Sequence, residues 1–352
     1  MRIAHKSLGY KVLTAIVLVM MVFAALPVTD AQAATSILVN WTKAYDQASG
    51  TGNTFNATIP NGSNRILVVG IATESTNSGT VGNPTTITYG GQTLTLATGN
   101  GATNGRMHTW LYYLKDNAVM DNTARPLNVT MGAGAIVNMT VWYAVYAGVD
   151  QAPASYTTGN NLVNGAGSGP IQLSANMAVN AGEQAVYISS AYNDTNVTLP
   201  AYTLNANWTS GGTNTGTNAA PFSWRVQVAN RNVPGANVTD NAATGAVTPA
   251  GTIRYAISAM SLPAAPVPAA PTSFSSSATT TFTVGTTNTF NVTANGSPAP
   301  TYAIQTGSLP SGVTLSPAGV LSGTPATGTV NTYPVTIRAT NASGFLGQEY
   351  HL

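Results

Sequence analysis

The sequence predicts an all-β protein built as two sandwiches in tandem, and three observations carry that prediction. Through residues 35–262, short runs rich in Val, Ile, Thr, Tyr and Trp alternate with Gly/Asn/Ser clusters, the pattern of strands and turns. No 3.6-residue apolar period persists over a full window. The composition then breaks sharply at Pro263-Ala-Ala-Pro-Val-Pro-Ala-Ala-Pro271, where a chain of fixed φ and small side chains predicts an extended, semi-rigid linker over 263–271.

The N-terminus has the layout of a secretory signal peptide, assigned to 1–34. Arg2, Lys6 and Lys11 make a basic start, Val12 to Leu26 is almost wholly apolar, and Ala31-Gln32-Ala33 supplies small residues for cleavage. The apolar run is shorter than the ~20 residues a membrane-spanning helix needs. No other segment is apolar enough to span a membrane once the leader is removed.

Within 35–262 the strands fall in order. Arg65-Ile-Leu-Val-Val-Gly-Ile-Ala72 is nearly continuously apolar, so it reads as a strand buried on both faces. Thr86 to Leu96 reads as a hairpin, because Gly90-Gly91 can take the positive φ of a tight I′ turn. Strands are then expected at Thr109–Lys115, Leu127–Met131, Val137–Gly148, Gln184–Tyr192, Phe222–Ala229 and Thr252–Leu262, with a turn of helix over Asp116–Asn122. So many strands in one domain point to a two-sheet sandwich of jelly-roll type.

The second domain, 272–352, is a smaller sandwich. Phe282 and Val284, then Phe290, Val292 and Ala294, alternate as a first strand pair. Val313 and Leu315 pair with Val320 across Ser316-Pro-Ala-Gly319, where Gly319 suits a left-handed position. Tyr333, Val335, Ile337 and Ala339 share one face of the next strand. Asn341-Ala-Ser-Gly344 turns the chain, and Gln348 to Leu352 begins a last strand that stops early. That predicts a truncated repeat whose terminal edge is open to another strand.

Two resemblances sharpen this reading. Leu309-Pro-Ser-Gly-Val-Thr-Leu-Ser-Pro-Ala-Gly-Val-Leu-Ser-Gly-Thr-Pro325 resembles the signature of immunoglobulin-like (cadherin-like) repeats of bacterial surface and secreted proteins. The succession Arg65–Ala72, Thr86–Leu96, Trp110-Leu-Tyr-Tyr-Leu114, Tyr146-Ala-Gly-Val-Asp150 and Ala256–Leu262 is similar to secreted bacterial jelly-roll domains related to concanavalin-like lectins. Together they imply an extracellular setting and a spacer or adhesion role, and no defined activity.

Composition excludes several function classes. The chain has no cysteine, which removes a disulfide framework and a lipoprotein anchor. Charged residues are 6% of the chain. Losing Arg2, Lys6, Lys11 and Asp30 with the leader balances the formal charges, so no basic patch recommends nucleic acid as a partner. Only His108 and His351 outlast the leader, too few for a zinc site. Glu74, Glu183 and Glu349 stand isolated from other acids, which does not suit a paired-carboxylate hydrolase. The chain is therefore expected to be no enzyme, with no catalytic residue.

Two binding chemistries stay open. Asp150, Asp194 and Asp240, dispersed in loops among Asn or Thr, are the candidate ligands for calcium, the one cofactor considered. Aromatic rings can stack on sugar C–H groups, which nominates Trp110, Tyr112, Trp208 and Trp41 for polysaccharide binding. Most such aromatics are expected to fill the core, whereas Trp208, in the loop-like Asn205–Gly212, and Trp41 are expected to be better exposed. The resulting expectation is a non-enzymatic secreted or cell-surface protein with an adhesive or structural role, its partners polysaccharide or other surface proteins. The alternatives are the accessory N-terminal portion of a larger secreted hydrolase, or a subunit of a surface layer or fibre.

Overall fold

A computed structural model describes residues 34–48, 52–76, 81–100, 105–134, 136–167, 171–193, 204, 207–217, 223–233, 238–240 and 253–352. The leader lies outside these residues apart from Ala34, and so does Asp194. The described chain is all β. It divides into one compact unit, Gln32–Ala265, and a second that includes Pro266–Leu352.

The described residues of the first unit form sixteen strands. They are β1 (Ser36–Ala48), β2 (Gly52–Thr58), β3 (Ile66–Ser75), β4 (Pro84–Tyr89), β5 (Gln92–Thr93), β6 (Thr95–Gly99), β7 (Met107–Lys115), β8 (Ala124–Met131) and β9 (Ile136–Ala147), then β10 (Thr158–Gly167), β11 (Met177–Val179), β12 (Gln184–Asn193), β13 (Thr209–Thr217), β14 (Ser223–Asn232), β15 (Val238–Asp240) and β16 (Ile253–Leu262). They form two five-stranded sheets, β1-β9-β3-β7-β6 and β10-β16-β12-β14-β13, with a four-stranded sheet β2-β8-β4-β5 and a two-stranded sheet β11-β15.

Three apolar layers hold these sheets together: the two five-stranded sheets form the expected sandwich, and a smaller sheet is added outside each. The inner layer lies between the five-stranded sheets and takes Trp41, Val68, Leu111, Trp142 and Tyr146 from one, Val186, Ile188, Trp224 and Met260 from the other. A second layer, with Leu67, Val69, Trp110, Ile87, Tyr89 and Val129, joins the first five-stranded sheet to β2-β8-β4-β5. A third, with Ile171, Met177, Val179, Tyr187 and Ile257, covers the outer face of the other sheet. A strand between two apolar layers must be apolar on both faces. That is why every residue of β3 is buried, as its sequence predicts.

The remaining expectations fare variously. The β4–β5 hairpin turns at Gly90 (φ 54°) and Gly91 (φ 83°), as the Gly-Gly pair predicts. Residues 116–122 form a turn rather than helix, because the Asn117 side chain accepts from Val119 N–H and its carbonyl from Met120 N–H. Asp240 ends strand β15, opposite Met177, where a loop was expected. The Pro/Ala segment is free over less of its length than expected: Ala264 bridges Val149 at one end and Ala269 bridges Ser297 at the other.

The second unit carries β17 (Asn288–Asn291), β18 (Thr301–Thr306), β19 (Val313–Leu315), β20 (Val320–Gly323), β21 (Pro334–Asn341) and β22 (Gly344–His351). Two three-stranded sheets, β17-β20-β19 and β18-β21-β22, face each other across Val292, Tyr302, Leu321, Val335, Ile337 and Tyr350. The β19–β20 hairpin turns at Gly319 (φ 87°), where the sequence places it. The last edge is not fully open. Phe274 bridges Ala294 in one sheet, and the chain then crosses so that Thr279 pairs in parallel with His351 of β22 in the other.

Candidate functional site

The four aromatics nominated for ligand binding are all core residues. Trp110 is 1% exposed and Tyr112 8%, both in the layer against β2-β8-β4-β5, and Trp110 Nε1 donates to Asn83 Oδ1 at 3.1 Å. Trp41 is 4% exposed and Trp208 6%, which corrects their expected exposure. The reason for Trp41 is a glycine on the facing sheet. A Cβ on Gly211 would stand 2.2 Å from its ring, so the missing side chain makes the slot the indole fills. Trp208 packs on Tyr187, with ring centroids 4.8 Å apart.

Of the acidic candidates, Asp150 and Asp240 belong to the described residues and join no group able to hold a metal ion. Asp150 Oδ1 accepts from Ala152 N–H at 2.9 Å and shapes a turn. Among the described residues no three His, Asp or Glu side chains come close enough to hold a metal ion.

One buried polar cluster has no counterpart among the expected sites. Glu74 closes β3, Arg106 precedes β7 and Asn138 lies in β9, three segments that adjoin in the first five-stranded sheet. Glu74 Oε1 accepts from Arg106 Nη2 at 3.0 Å and Nε at 3.2 Å, and Oε2 accepts from Asn138 Nδ2 at 2.5 Å. The Arg106 guanidinium lies 3.6 Å from the centre of the Tyr192 ring. His108 is fully buried, its Nε2 2.8 Å from Gly105 O and its ring stacked on Trp110. The cluster is thus a pin at one end of the sheets, with its carboxylate already bound by two guanidinium N–H groups and an amide.

The same economy holds elsewhere. Arg65, at the entry to β3, grips Asp116 through Nη2–Oδ1 at 2.7 Å and Nε–Oδ1 at 3.1 Å, and donates from Nη1 to Pro60 O and Met120 O. Glu183, at the entry to β12, accepts from Asn180 N–H and Nδ2 and from Ser261 Oγ. Lys115 donates to the carbonyls of Gln151 and Pro153. On the surface, the Arg125 guanidinium holds the Asp121 carboxyl below the usual range. Burial pushes the phenols of Tyr146 and Tyr187 far above theirs.

Two open clefts lie among the described residues. One, of about 420 Å³, is lined by Thr95, Tyr113, Lys115, Asp116 and Asn117, whose charges are those already paired with Arg65 and the carbonyls. The other, of about 320 Å³, lies in the second unit between Phe282, Val284, Pro310, Val330, Tyr333 and Leu352.

Residues 270–351 match a family model described as "Putative Ig domain". The C-terminal unit is an immunoglobulin-like domain. Its two facing sheets and the crossing of its first segment from one sheet to the other are the architecture that such a match implies. Domains of this kind are building blocks of surface and structural proteins, and that is the setting the match indicates. No curated protein matches the chain. No helix of the described residues is long and apolar enough to cross a membrane.

Proposed function

We propose that this is an exported, non-enzymatic surface protein with an adhesive or structural role, in which the four-sheet unit is the main body and the immunoglobulin-like domain a linking module. One observation carries the reading. Among the described residues, three carboxylates are spent on the fold: Glu74 on Arg106 and Asn138, Asp116 on Arg65, Glu183 on Asn180 and Ser261. A general acid or base must reach a substrate proton, and these carboxylates are already bound by partners of their own. The leader-like residues 1–34 support export. Polysaccharide recognition through Trp41, Trp110, Tyr112 or Trp208 is not carried forward, since a ring must be exposed to stack on a sugar and these are core.

Two measurements test the proposal. Antibody labelling of intact cells should place the protein at the surface or in the medium; a purely internal signal overturns export. Purified protein offered glycans, esters and peptides should turn over none of them; turnover abolished by Glu74→Gln or His108→Ala, with the fold intact by circular dichroism, overturns the non-enzymatic reading.

A further inference from the structure

The first unit repeats itself. Count nine strands in its first half, β1–β9, and seven in its second, β10–β16. The first five-stranded sheet has the order first, last, third, third from last, fourth from last. The second sheet, β10-β16-β12-β14-β13, has that same order counted within its own half. The outer sheets follow the rule too: β2 pairs with β8, and β11 pairs with β15, in each case the second strand with the next to last. The extra strands of the first half, β4 and β5, are a local hairpin on its outer sheet. In both halves the third strand, β3 or β12, is the middle of its sheet and is buried along its length.

The contacts between the halves are reciprocal under this correspondence, in which β1, β6, β7 and β9 match β10, β13, β14 and β16. Trp41 of β1 fills the slot at Gly211 of β13, while Thr98 of β6 accepts from Asn160 Nδ2 of β10 at 2.9 Å. Tyr146 of β9 bonds Asn230 of β14, while Ser258 of β16 bonds Thr109 of β7 at 2.9 Å. When element i meets j′ and j meets i′, the face is self-complementary, as in a two-fold dimer.

We infer that the first unit is one module present twice and fused, and that the inner face is a surface built to bind a second copy of the same module, supplied here by the same chain. The chain ends fit this. Thr35, at the start of the first half, donates to Gly182 O, two residues from Gln184, which pairs with Leu262 at the end of the second half. A two-fold relation makes the step from Leu262 to Thr35 equivalent to the native step from Ala147 to Thr158.

The test is to exchange the halves within the full chain. The permuted order is Thr158–Leu262, a connector as short as the native Gly148–Thr157, Thr35–Ala147, then Pro263–Leu352. It should fold as a monomer with a single cooperative melt, and with the same slowly exchanging amides in β3 and β12. The second arm deletes Ala152–Ser155 from the native order. Halves that can no longer meet within one chain should meet between chains, so the mass in sedimentation should double while circular dichroism is unchanged. A permuted chain that is unfolded or aggregated, together with a shortened chain that gives no two-chain species, overturns the inference. A shortened chain that stays a native monomer counts against it as well, since the connector would then not set which copy is bound.

Discussion

The two halves of the first unit share a strand order and hold it with different chemistry. In the first half both ends of the central strand β3 are fixed by ion pairs, Arg65 with Asp116 at its entry and Glu74 with Arg106 at its exit. In the second half β12 is preceded by Glu183, which is bound by neutral donors, and near its exit Tyr192 lies under the first half's Arg106. The outer cover differs as well, four strands on one side and two on the other. What the halves have in common is a central strand buried on both faces and a shared inner layer. The arrangement of layers is therefore set by burial, and the charges adjust its margins.

If the inner layer is what makes the halves one body, emptying it should loosen both. Trp41→Ala removes a ring that lies between Gly70 of its own half and Gly211 of the other. The expected loss is about 3–5 kcal/mol, the range for truncating a large buried aromatic. In native-state hydrogen exchange, amides of β12 and β16 should then speed up as much as those of β3. Faster exchange confined to β1 and its neighbours would break the comparison by showing two independent halves.

The pins should be unequal. Arg106→Met leaves Glu74 buried with only Asn138 as a partner, and stranding a buried charge costs about 3–5 kcal/mol. Glu183→Gln keeps the shape and an acceptor, so the loss should be closer to about 1–3 kcal/mol. Urea midpoints of the two variants, compared at equal m-value, measure the difference. Equal losses would mean that the second half depends on its carboxylate as strongly as the first depends on its ion pair.

How much of this was legible beforehand follows from where the determining partner lies. The double-sided apolar strand at 65–72, the Gly90-Gly91 turn and the Gly319 hairpin are local patterns, and the sequence displays them. β13 is not such a pattern. Thr209–Thr217 is Thr, Gly, Ser and Asn, and its Gly211 and Gly212 owe their place to Trp41 and Trp142, which lie far away in the chain. Trp208, beside those glycines, therefore looked like a loop residue. Glu74 looked isolated because Arg106 and Asn138 reach it only when three strands align. The repeat itself hid because its halves share which faces are buried, while the residues that bury them differ.

Alkaline pH should weaken both halves together and gradually. Burial raises the phenol of Tyr146 in the inner layer and of Tyr187 in the outer layer of the second half. The unfolded chain releases these protons near pH ~10, while the folded chain still holds them. Stability is then intact below that pH and falls as pH rises above it. Urea midpoints should be flat up to pH ~9.5 and decline beyond. A decline that begins near neutrality would need a different titrating group.

The smallest effect expected is at the one element that the first half has and the described second half lacks, the β4–β5 hairpin. Gly91 sits at φ 83° with no atom within 4 Å of where a Cβ would go. Gly91→Ala therefore meets no clash, and only the left-handed backbone opposes it, at roughly 1–2 kcal/mol. Because the hairpin lies on the outer sheet, away from the inner layer, the variant should lower the melting temperature slightly and leave exchange in β12 and β16 unchanged. If it instead loosened the second half, the outer hairpin would be part of what joins the two modules, and the inner face would not be acting alone.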